Sequence, residues 1–504
     1  MRSLILPALV GLLAACASVP ADANDTPRRT NVLVIVADDL GFHDIGANNP
    51  DGFYDTPNLD RLARSGVRFT RGYAANPVCS PTRYSLMTGK YPTRAQATNY
   101  FSGRRAGRFA PAPFEDRMRL EERTLAEALK AAGYATFFAG KWHLGPDEDH
   151  WPTRQGFDVN RGGHASGGPY GGKKYFSPYG NPRLEDGPDG EHLPDRLARE
   201  ALAFASEPRD APFFAYLCFY SVHTPLMAPP ELVAKYEARA AALPDTGPVF
   251  ATEEQVFPDA GDRRVRVVQD HAVYAAMVEA MDRAVGVLLD GLEERGLADD
   301  TLVVFTSDHG GLSTSEGHPT SNLPLRGGKG WTYEGGLRVP LLVRWPGHTR
   351  AGTTSDVPAL STDLFPTVLD ICDVDEATAS TQALAVDGQS LAAVLEGGTG
   401  PERDLHWHYP HYSNQGGFPS GALLEVSKDD GGRWKLIERF EDGSIQLFDL
   451  LHDPGERDDL SDRHPERVAA MRARLHAWYQ DVDARFLEPL EPQEPGGPQP
   501  WRPR

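Results

Sequence analysis

The chain has 504 residues, of which 40% are hydrophobic and 24% are charged, a composition typical of a globular protein with one large domain and a smaller one. Its formal net charge of -20 disfavours non-specific binding to nucleic acid, so no nucleic-acid partner is expected. Beyond the N-terminus, no apolar run approaches the roughly 20 residues that a membrane-spanning helix requires.

The N-terminus has the pattern of an export signal. Arg2 precedes an apolar stretch too short to cross a membrane, so residues 1–15 are predicted to be a signal peptide. The next residue, Cys16, completes the sequence Leu-Ala-Ala-Cys, which is similar to a bacterial lipobox and predicts lipidation of Cys16. The protein is then an exported lipoprotein, periplasmic or attached to the outer membrane through its lipid anchor, with residues 16–29 as a polar linker. Ordinary signal cleavage near Ala21 is the alternative, and it predicts a soluble periplasmic protein.

The cysteine content is low for an exported protein. Only four cysteines occur, which is too few for a disulfide framework. Cys218 and Cys372 each lie in an apolar run, so both are predicted to be buried thiols that pack as small hydrophobic side chains. A disulfide bridge between these two cysteines is the alternative.

Residues 30–375 alternate between buried strands and amphipathic helices. Strands are predicted at 31–36, 67–73, 134–139, 213–220 and 301–306, and helices at 57–65, 124–132 and 271–295. Thr56 is predicted to cap the first of these helices and Pro57 to occupy its first turn. The alternation predicts an α/β fold with a large, mostly parallel sheet sandwiched between helices.

Polar residues follow the ends of several predicted strands. They are Asp38, Asp39, Lys141, His143, His223, Asp308 and His309. Ligands of parallel sheets bind beyond the carboxyl ends of the strands. The sequence therefore predicts that these seven side chains meet in one site.

The pattern changes after residue 375. Short strand-like segments separated by turn residues, and then a helical segment at 465–484, predict that residues 376–487 form a small antiparallel sheet with one helix. The remaining residues, 488–504, are rich in proline and are predicted to be a disordered tail.

A motif around Cys79 carries the clearest chemical signal. Ser80 can cap and Pro81 can begin a helix that places residue 79 at its positive end, where an anion is stabilised. Arg83 lies one turn further along the same face. The sequence Cys-Ser-Pro-Thr-Arg, followed by Thr-Gly-Lys ending at Lys90, resembles the C-x-P-x-R signature of the type I (formylglycine-dependent) sulfatase family, which belongs to the alkaline phosphatase-like superfamily. This resemblance implies an alkaline phosphatase-like fold and a maturation enzyme that oxidises Cys79 to formylglycine (3-oxoalanine).

Asp38, Asp39, Asp308 and His309 form a candidate metal site. Oxygen donors dominate this set, which favours calcium or magnesium over zinc. The resemblance implies that these four residues bind Ca²⁺ together with the modified residue 79. His309 stands where the family more often has asparagine, so Mg²⁺ is kept as the alternative.

Three further segments match the family in the same order along the chain. Lys141 and His143 lie in Gly-Lys-Trp-His-Leu-Gly, and their alternation along an extended segment predicts that both point to one side. The resemblance implies that Lys141 contacts residue 79 and substrate oxygens, and that His143 takes a proton from the hydrated aldehyde. It also implies that His223 binds the sulfate and protonates the leaving oxygen. Lys329, in a glycine-rich loop, would bind a sulfate oxygen, with Arg83 holding the side-chain oxygens of residue 79.

The implied function is hydrolysis of a sulfated carbohydrate or an aryl sulfate with release of inorganic sulfate. Phosphonate monoester and phosphodiester hydrolases that carry the same cysteine motif are one alternative. A lipid-anchored glycan-binding protein with a decayed active site is another. That second alternative requires loss of metal ligands or basic residues, and none of the expected ones is missing.

Two segments are candidates for sugar subsites. The loop 161–175 contributes His164, Lys173 and Lys174, and the aromatic segment 407–412 contributes His408 and His411. Basic and aromatic side chains suit an anionic sugar. Ordinary surface loops are the alternative interpretation.

Overall fold

The structure is a computed structural model that describes residues 29–244, 247–254, 263–375, 386–426, 433–490 and 498–503. The predicted signal peptide, Cys16 and the linker up to residue 28 lie outside the described residues. Within the described residues, no helix is long and apolar enough to span a membrane.

The described chain contains fifteen strands and ten helices, numbered here in chain order. The strands are β1 (Asn31–Ala37), β2 (Val67–Tyr73), β3 (Ala135–Gly140), β4 (Val159–Arg161), β5 (Phe213–Cys218), β6 (Phe250–Thr252), β7 (Arg264–Arg266), β8 (Thr301–Ser307), β9 (Arg338–Arg344), β10 (Thr353–Ser355), β11 (Ala359–Leu360), β12 (Leu405–Tyr409), β13 (Ser420–Leu424), β14 (Trp434–Arg439) and β15 (Ile445–Asp449). The helices are α1 (Pro57–Ser65), α2 (Cys79–Thr88), α3 (Leu125–Ala131), α4 (Leu193–Ala205), α5 (Pro230–Ala241), α6 (Ala272–Glu294), α7 (Glu334–Leu337), α8 (Leu364–Ile371), α9 (Ala392–Leu395) and α10 (Pro465–Asp481). Short 3-10 turns are not numbered.

The main sheet has nine strands in the order β10-β2-β9-β8-β1-β5-β3-β4, with β11 also paired to β2. All neighbours are parallel except where β9 pairs antiparallel with β2 and β8. The predicted α/β fold with a mostly parallel sheet is confirmed.

The central strands are apolar along their whole length because helices cover both faces of the sheet. In β1, Leu33 and Ile35 pack in a core with α4 and α6, whereas Val32, Val34 and Val36 pack in a second core with α2, α3 and α8. This strict alternation follows from the two-residue period of a strand. Cys218 and Cys372 both lie in the second core as free thiols, so the predicted buried thiols are confirmed and the bridge between them is not formed.

Local sequence explains most helix starts, with one correction. Thr124 and Glu127 form the reciprocal capping pair that begins α3, through hydrogen bonds of 3.1 and 3.0 Å. At α1, however, the prediction that the Thr56 side chain caps the helix is wrong. The carboxylate of Asp282 on α6 accepts the Leu59 N–H (2.8 Å) and the Asn58 N–H (3.1 Å) instead. A partner distant in sequence has replaced the local cap.

The second sheet is antiparallel, in the order β12-β13-β14-β15, and α10 packs on one of its faces through Met471, Leu475 and Tyr479. This confirms the smaller sheet with one helix. The sheet begins only at Leu405, because residues 391–395 pack in the core of the main domain. The predicted boundary at residue 376 therefore precedes a segment that belongs with the larger sheet.

The proline-rich tail was predicted to be disordered, but its described end, residues 498–503, contacts the second sheet. The Trp501 ring stacks on Phe440 at a centroid distance of 5.9 Å, and the Trp501 N–H donates to the Phe440 carbonyl (3.2 Å). One aromatic residue is enough to fix this part of the tail on the second sheet, since buried aromatic rings carry a large apolar area.

Candidate active site

Helix α2 begins at Cys79 itself, with Val78 as its N-terminal flanking residue. The predicted capping role of Ser80 is corrected: its hydroxyl donates to the His143 carbonyl (2.9 Å) and so ties the helix to the loop after β3. All ten residues of α2 are buried, and Gly89 ends the helix at φ 69° with its N–H on the Ser85 carbonyl. Cys79, 3% exposed, thus lies at the positive end of a rigid helix.

The four predicted metal-binding residues meet beside Cys79. Strands β1 and β8 are parallel neighbours with Ala37 opposite Ser307, so the residues that follow each strand leave the sheet at the same level. Candidate ligand atoms of Asp38, Cys79, Asp308 and His309 all lie within 4.8 Å of one another. The His309 Nε2 atom is 3.2 Å from Asp39 Oδ1 and 3.4 Å from Asp308 Oδ1, which brings Asp39 into the same cluster.

A buried cation faces each of the three carboxylates. Lys141 Nζ lies 2.7 Å from Asp38 Oδ2, and Lys329 Nζ lies 2.8 Å from Asp39 Oδ1. Arg83 donates to Asp308 Oδ2 through Nε (3.0 Å), and its Nη2 lies 2.9 Å from the same oxygen. Such pairing is required because an unpaired charge at this depth is strongly destabilised.

The same cations create a positive field at residue 79. Burial alone raises the pKa of the Cys79 thiol, but the charges of Lys141, Lys329 and His309 outweigh it and hold that pKa well below its usual range. Burial lowers the pKa of Lys141 and Lys329, yet their carboxylate partners raise both above the ordinary lysine value. The pocket therefore favours negative charge on residue 79 and on any group bound beside it.

The loop after β3 brings Lys141 and His143 to the site, although not as the extended segment that was predicted. Gly140 has φ 91°, and a Cβ there would lie 1.8 Å from the Cys218 carbonyl oxygen, so only glycine fits. His143 itself has φ 57°, a strained conformation for a residue with a side chain. Burial lowers the pKa of its ring, against the opposing effect of the nearby Cys79 thiol, and its Nδ1 atom has no hydrogen-bond partner.

His223 is held near the same cluster by contacts with the backbone and with Tyr175. Its Nδ1 atom lies 2.7 Å from the Thr224 carbonyl oxygen, and the Tyr175 hydroxyl donates to the His223 carbonyl (2.8 Å). Burial and the charge of Lys329, against the opposing charge of Asp39, together lower the pKa of His223 to about 4. The ring is therefore neutral at pH 7 before an anion binds.

The predicted sugar-contacting residues divide into three groups. His164 lies next to the site, since the His143 N–H donates to its carbonyl (3.3 Å). Lys173 and Lys174 are exposed, and Lys173 pairs with Asp189 at 2.5 Å. None of these observations tests whether the three residues touch a substrate.

The assignment of His408 and His411 as sugar-contacting residues is corrected. They are 2% and 0% exposed, respectively. His408 packs against Phe440, Tyr479 and Phe486, and His411 Nε2 lies 2.8 Å from Thr98 Oγ1. Both histidines are interior side chains of the second domain and are inaccessible to a substrate.

The sequence reasoning did not single out the side chains around the opening of the site. The Tyr170 ring is 58% exposed with its centroid 6.3 Å from that of His223, and Tyr100 and Glu316 lie within electrostatic reach of Lys329. Tyr170 falls in the loop that was considered for sugar binding. No local pattern marks Glu316, because its position depends on contacts distant in sequence.

The donor set fits a divalent cation. Three buried carboxylates and one imidazole nitrogen converge on a small volume, and such oxygen-rich sets bind hard cations. A nucleophile position at a helix N-terminus, a hard-cation site and two lysines together define a hydrolase of anionic esters.

Comparison with known proteins specifies the ester. The family model described as "Sulfatase" matches residues 30–374, and the model "N-sulphoglucosamine sulphohydrolase, C-terminal" matches residues 328–483. A sulfatase of Formosa agariphila is 30% identical over 93% of this chain and 92% of its own length. Human N-acetylgalactosamine-6-sulfatase is 30% identical over 94% of this chain and 88% of its own length. The crystal structure of Ps i-CgsB in complex with k-i-k-neocarrahexaose superposes with a TM-score of 0.70 at 28% identity, covering 90% of this chain and 93% of that one.

The chain belongs to the sulfatase family, whose model matches well over half of its length. It is a sulfuric ester hydrolase with an alkaline phosphatase-like fold, as the sequence motifs predicted.

Lys329→Ala is expected to raise KM and to lower kcat/KM by roughly 10- to 100-fold, because it removes one of the buried cations of the site, which would stabilise a bound anion. Steady-state kinetics of sulfate release on an aryl sulfate measure both constants. Lys130→Ala, at an exposed lysine on α3, is the control and is expected to match the wild type. Unchanged kinetics in Lys329→Ala would remove this lysine from the substrate site.

Proposed function

We propose that the chain removes sulfate from a sulfated carbohydrate, with Cys79 converted to formylglycine and with Ca²⁺ bound by Asp38, Asp39, Asp308 and His309. One observation carries this proposal. The Cys79 sulfur lies 3.8 Å from Asp38 Oδ1 and 3.2 Å from His309 Nε2, inside the cation-binding cluster. A side chain placed there can contact a bound cation and a substrate together.

The candidate ligands support the choice of calcium. Three carboxylates offer oxygen atoms, and Ca²⁺ accepts such ligands in flexible geometry, whereas Mg²⁺ retains more of its water. When bound, the cation would lower the pKa of a hydroxyl group at residue 79 and neutralise part of the sulfate charge.

The residues around position 79 then divide the proton transfers between them. A hydrated aldehyde at residue 79 supplies one hydroxyl that attacks sulfur and a second whose deprotonation expels the sulfate. Asp308 is placed to accept the proton of the first hydroxyl, and His143 that of the second. Lys141 and Lys329 bind the sulfate oxygens and stabilise the charge that develops on them.

His223 protonates the leaving alcohol. Its Nδ1 atom faces a backbone carbonyl, which leaves Nε2 for the substrate. The positive charge of Lys329 contributes to the low pKa of His223. Because a bound sulfate offsets that charge, substrate binding raises the pKa and favours the protonated ring. The acid is therefore charged mainly when substrate is present.

The carbohydrate assignment is supported by the relatives. One is named for N-acetylgalactosamine 6-sulfate esters, and one structure similar to this chain was determined with a neocarrahexaose. The tyrosines at the opening also supply aromatic faces of the kind that pack on sugar rings. Aryl sulfates, phosphonate monoesters and phosphodiesters, tested in parallel, are the competing substrates.

Mass spectrometry combined with a sulfate-release assay tests the proposed nucleophile. The protein is co-expressed with a formylglycine-generating maturation enzyme, and the tryptic peptide 72–83 is analysed for conversion of Cys79. We expect kcat to be proportional to the converted fraction. A fully active preparation whose residue 79 is entirely an unmodified thiol would refute the formylglycine proposal.

Removal of the cation by exhaustive EDTA treatment is expected to abolish sulfate release and to lower Tm, since the carboxylates lose their partner. Added Ca²⁺ should restore both quantities, and metal analysis of the untreated protein should show about one Ca²⁺ per chain. If Mg²⁺ restored activity and Tm and Ca²⁺ did not, the proposed metal would be magnesium instead of calcium. Full activity of protein shown to be metal-free would contradict the site altogether.

We also propose that the chain is exported and anchored through lipid on Cys16, which the Leu-Ala-Ala-Cys sequence supports. The wild type is expected to partition into the detergent phase after membrane extraction, and Cys16→Ser into the aqueous phase. Identical partitioning of the two proteins would favour ordinary signal cleavage.

A further inference from the structure

The opening of the active site has an exposed acidic side chain, Glu316, although an anionic substrate would face the lysines of the interior. Glu316 is exposed, and it lies in the turn after β8 with φ 52°. The substrate-binding interior presents Lys141 and Lys329. A carboxylate at the entrance to a site for anionic esters opposes the attraction of these lysines, so it needs a specific explanation.

Three contacts hold the Glu316 carboxylate in place. Its Oε1 atom accepts the Asn414 Nδ2–H (2.8 Å) and the Gln415 Nε2–H (2.6 Å), and its Oε2 atom lies 3.5 Å from the Thr224 hydroxyl. The donors come from two separate segments, one before β13 and one after β5. Among the described residues, no lysine or arginine forms an ion pair with Glu316, so its negative charge is not neutralised by a direct contact.

The contact with Thr224 defines which side of the site the carboxylate occupies. Thr224 directly follows His223, the proposed donor of a proton to the leaving oxygen. The charge of Glu316 also reaches Lys329 and Tyr100 across the opening. Glu316 therefore lies beside the part of the substrate that leaves as alcohol.

A carboxylate in that position selects by charge. It accepts hydrogen bonds from hydroxyl groups of the alcohol, and it repels a second sulfate or a carboxylate placed next to the ester oxygen.

We propose that Glu316 is a specificity-determining residue. It restricts the enzyme to sulfate esters of sugars that carry a hydroxyl group beside the ester oxygen, on the side of Thr224. Sugars with a second anionic group at that position are excluded. This inference rests on the proposed carbohydrate sulfatase function. It adds a substrate class, monosulfated or locally neutral sugars, which the chemistry of sulfate release does not itself require.

The test compares a monosulfated monosaccharide with two disulfated derivatives of it. The derivatives are isomers of each other, and each carries the second sulfate on one of the two carbons next to the ester. Each kcat/KM is divided by the value for 4-nitrophenyl sulfate measured with the same protein. We expect the wild type to prefer the monosulfated sugar at least about tenfold over one or both isomers. Glu316→Gln keeps the size and the hydrogen-bonding oxygen of the side chain, and it should reduce that preference to within about threefold.

Glu237→Gln is the matched control, because it removes the same charge from an exposed position on α5. It should retain the wild-type preference. A wild type that hydrolyses all three sugars equally, or a Glu316→Gln variant with the wild-type preference, would overturn the specificity role while sulfate release itself stands. The proposed function would be overturned, and this inference with it, if metal-loaded protein with converted residue 79 released sulfate from none of the substrates.

Discussion

Cys79→Ala is expected to abolish sulfate release while the protein remains folded. The substitution removes the proposed nucleophile and the group that the proposed maturation enzyme would oxidise, and loss of a nucleophile of this kind lowers kcat by at least about 10⁴-fold. The change shortens one small side chain that belongs to none of the hydrophobic cores of the described chain, so Tm should change little. Sulfate release followed by ion chromatography, together with thermal unfolding, measures both expectations.

Cys372→Ala is the control for the loss of a buried thiol. Cys372 follows α8 in the core of the main domain, and the side chain within hydrogen-bonding reach of it is that of Tyr134 rather than a residue of the site. This variant should retain wild-type kcat. Near-normal turnover by Cys79→Ala would refute the assignment of residue 79 as the nucleophile.

Lys435→Met is expected to destabilise the protein by about 3–5 kcal/mol, because it removes the buried cation that two buried carboxylates share. Lys435 on β14 is completely buried, with its Nζ atom 3.0 Å from Glu334 Oε1 and 2.9 Å from Glu456 Oε1. Glu456 also accepts the Glu334 N–H (2.6 Å), and Tyr73 donates to Glu334 (3.0 Å). The cluster joins the second sheet to the segment that follows Lys329.

Denaturant unfolding at pH 7.5 measures this loss, with Lys130→Met as the control. Lys130 forms an exposed ion pair with Asp158 at 2.6 Å, and such surface pairs contribute less than about 1 kcal/mol. A Lys435→Met midpoint equal to that of the control would contradict the structural role of the cluster.

The pH dependence of stability provides a second measurement on the same cluster. Burial and the negative charge of Glu334, against the attraction of Lys435, together raise the pKa of Glu456 from 4.5 to about 7. A carboxyl group whose pKa is raised by folding binds more protons in the folded state. Its contribution to stability is therefore present below about pH 4.5 and is lost as the pH rises through 7.

The sequence predicts the centre of the site well because that centre depends on strand order and local motifs. Asp38 and Asp308 follow strands whose carboxyl ends must meet at one edge of a parallel sheet, and Cys79 begins a helix that ends at Gly89. The pairing of Lys329 with Asp39 is beyond such reasoning, since 290 residues separate them and only the folded chain brings them together.

The errors have an equally physical origin. Strand β12 alternates histidine with apolar residues, a pattern typical of a strand with one face in water. Here that second face is covered, since His408 packs beneath Tyr479 of α10 and Phe486 after it. An alternating pattern does not show what packs on the polar side. His143 reaches Cys79 through a left-handed backbone conformation, which the sequence Lys-Trp-His does not reveal.

The contacts of Glu316 have a consequence for how enzymes of this design diverge. The groups proposed for bond breaking all precede residue 330, whereas Asn414 and Gln415, which hold the selective carboxylate, come from the later part of the chain. Substitutions in that later part can retune substrate choice without disturbing the nucleophile or the cation. The orientation of the selective carboxylate thus depends on a part of the chain that supplies none of the groups proposed for bond breaking.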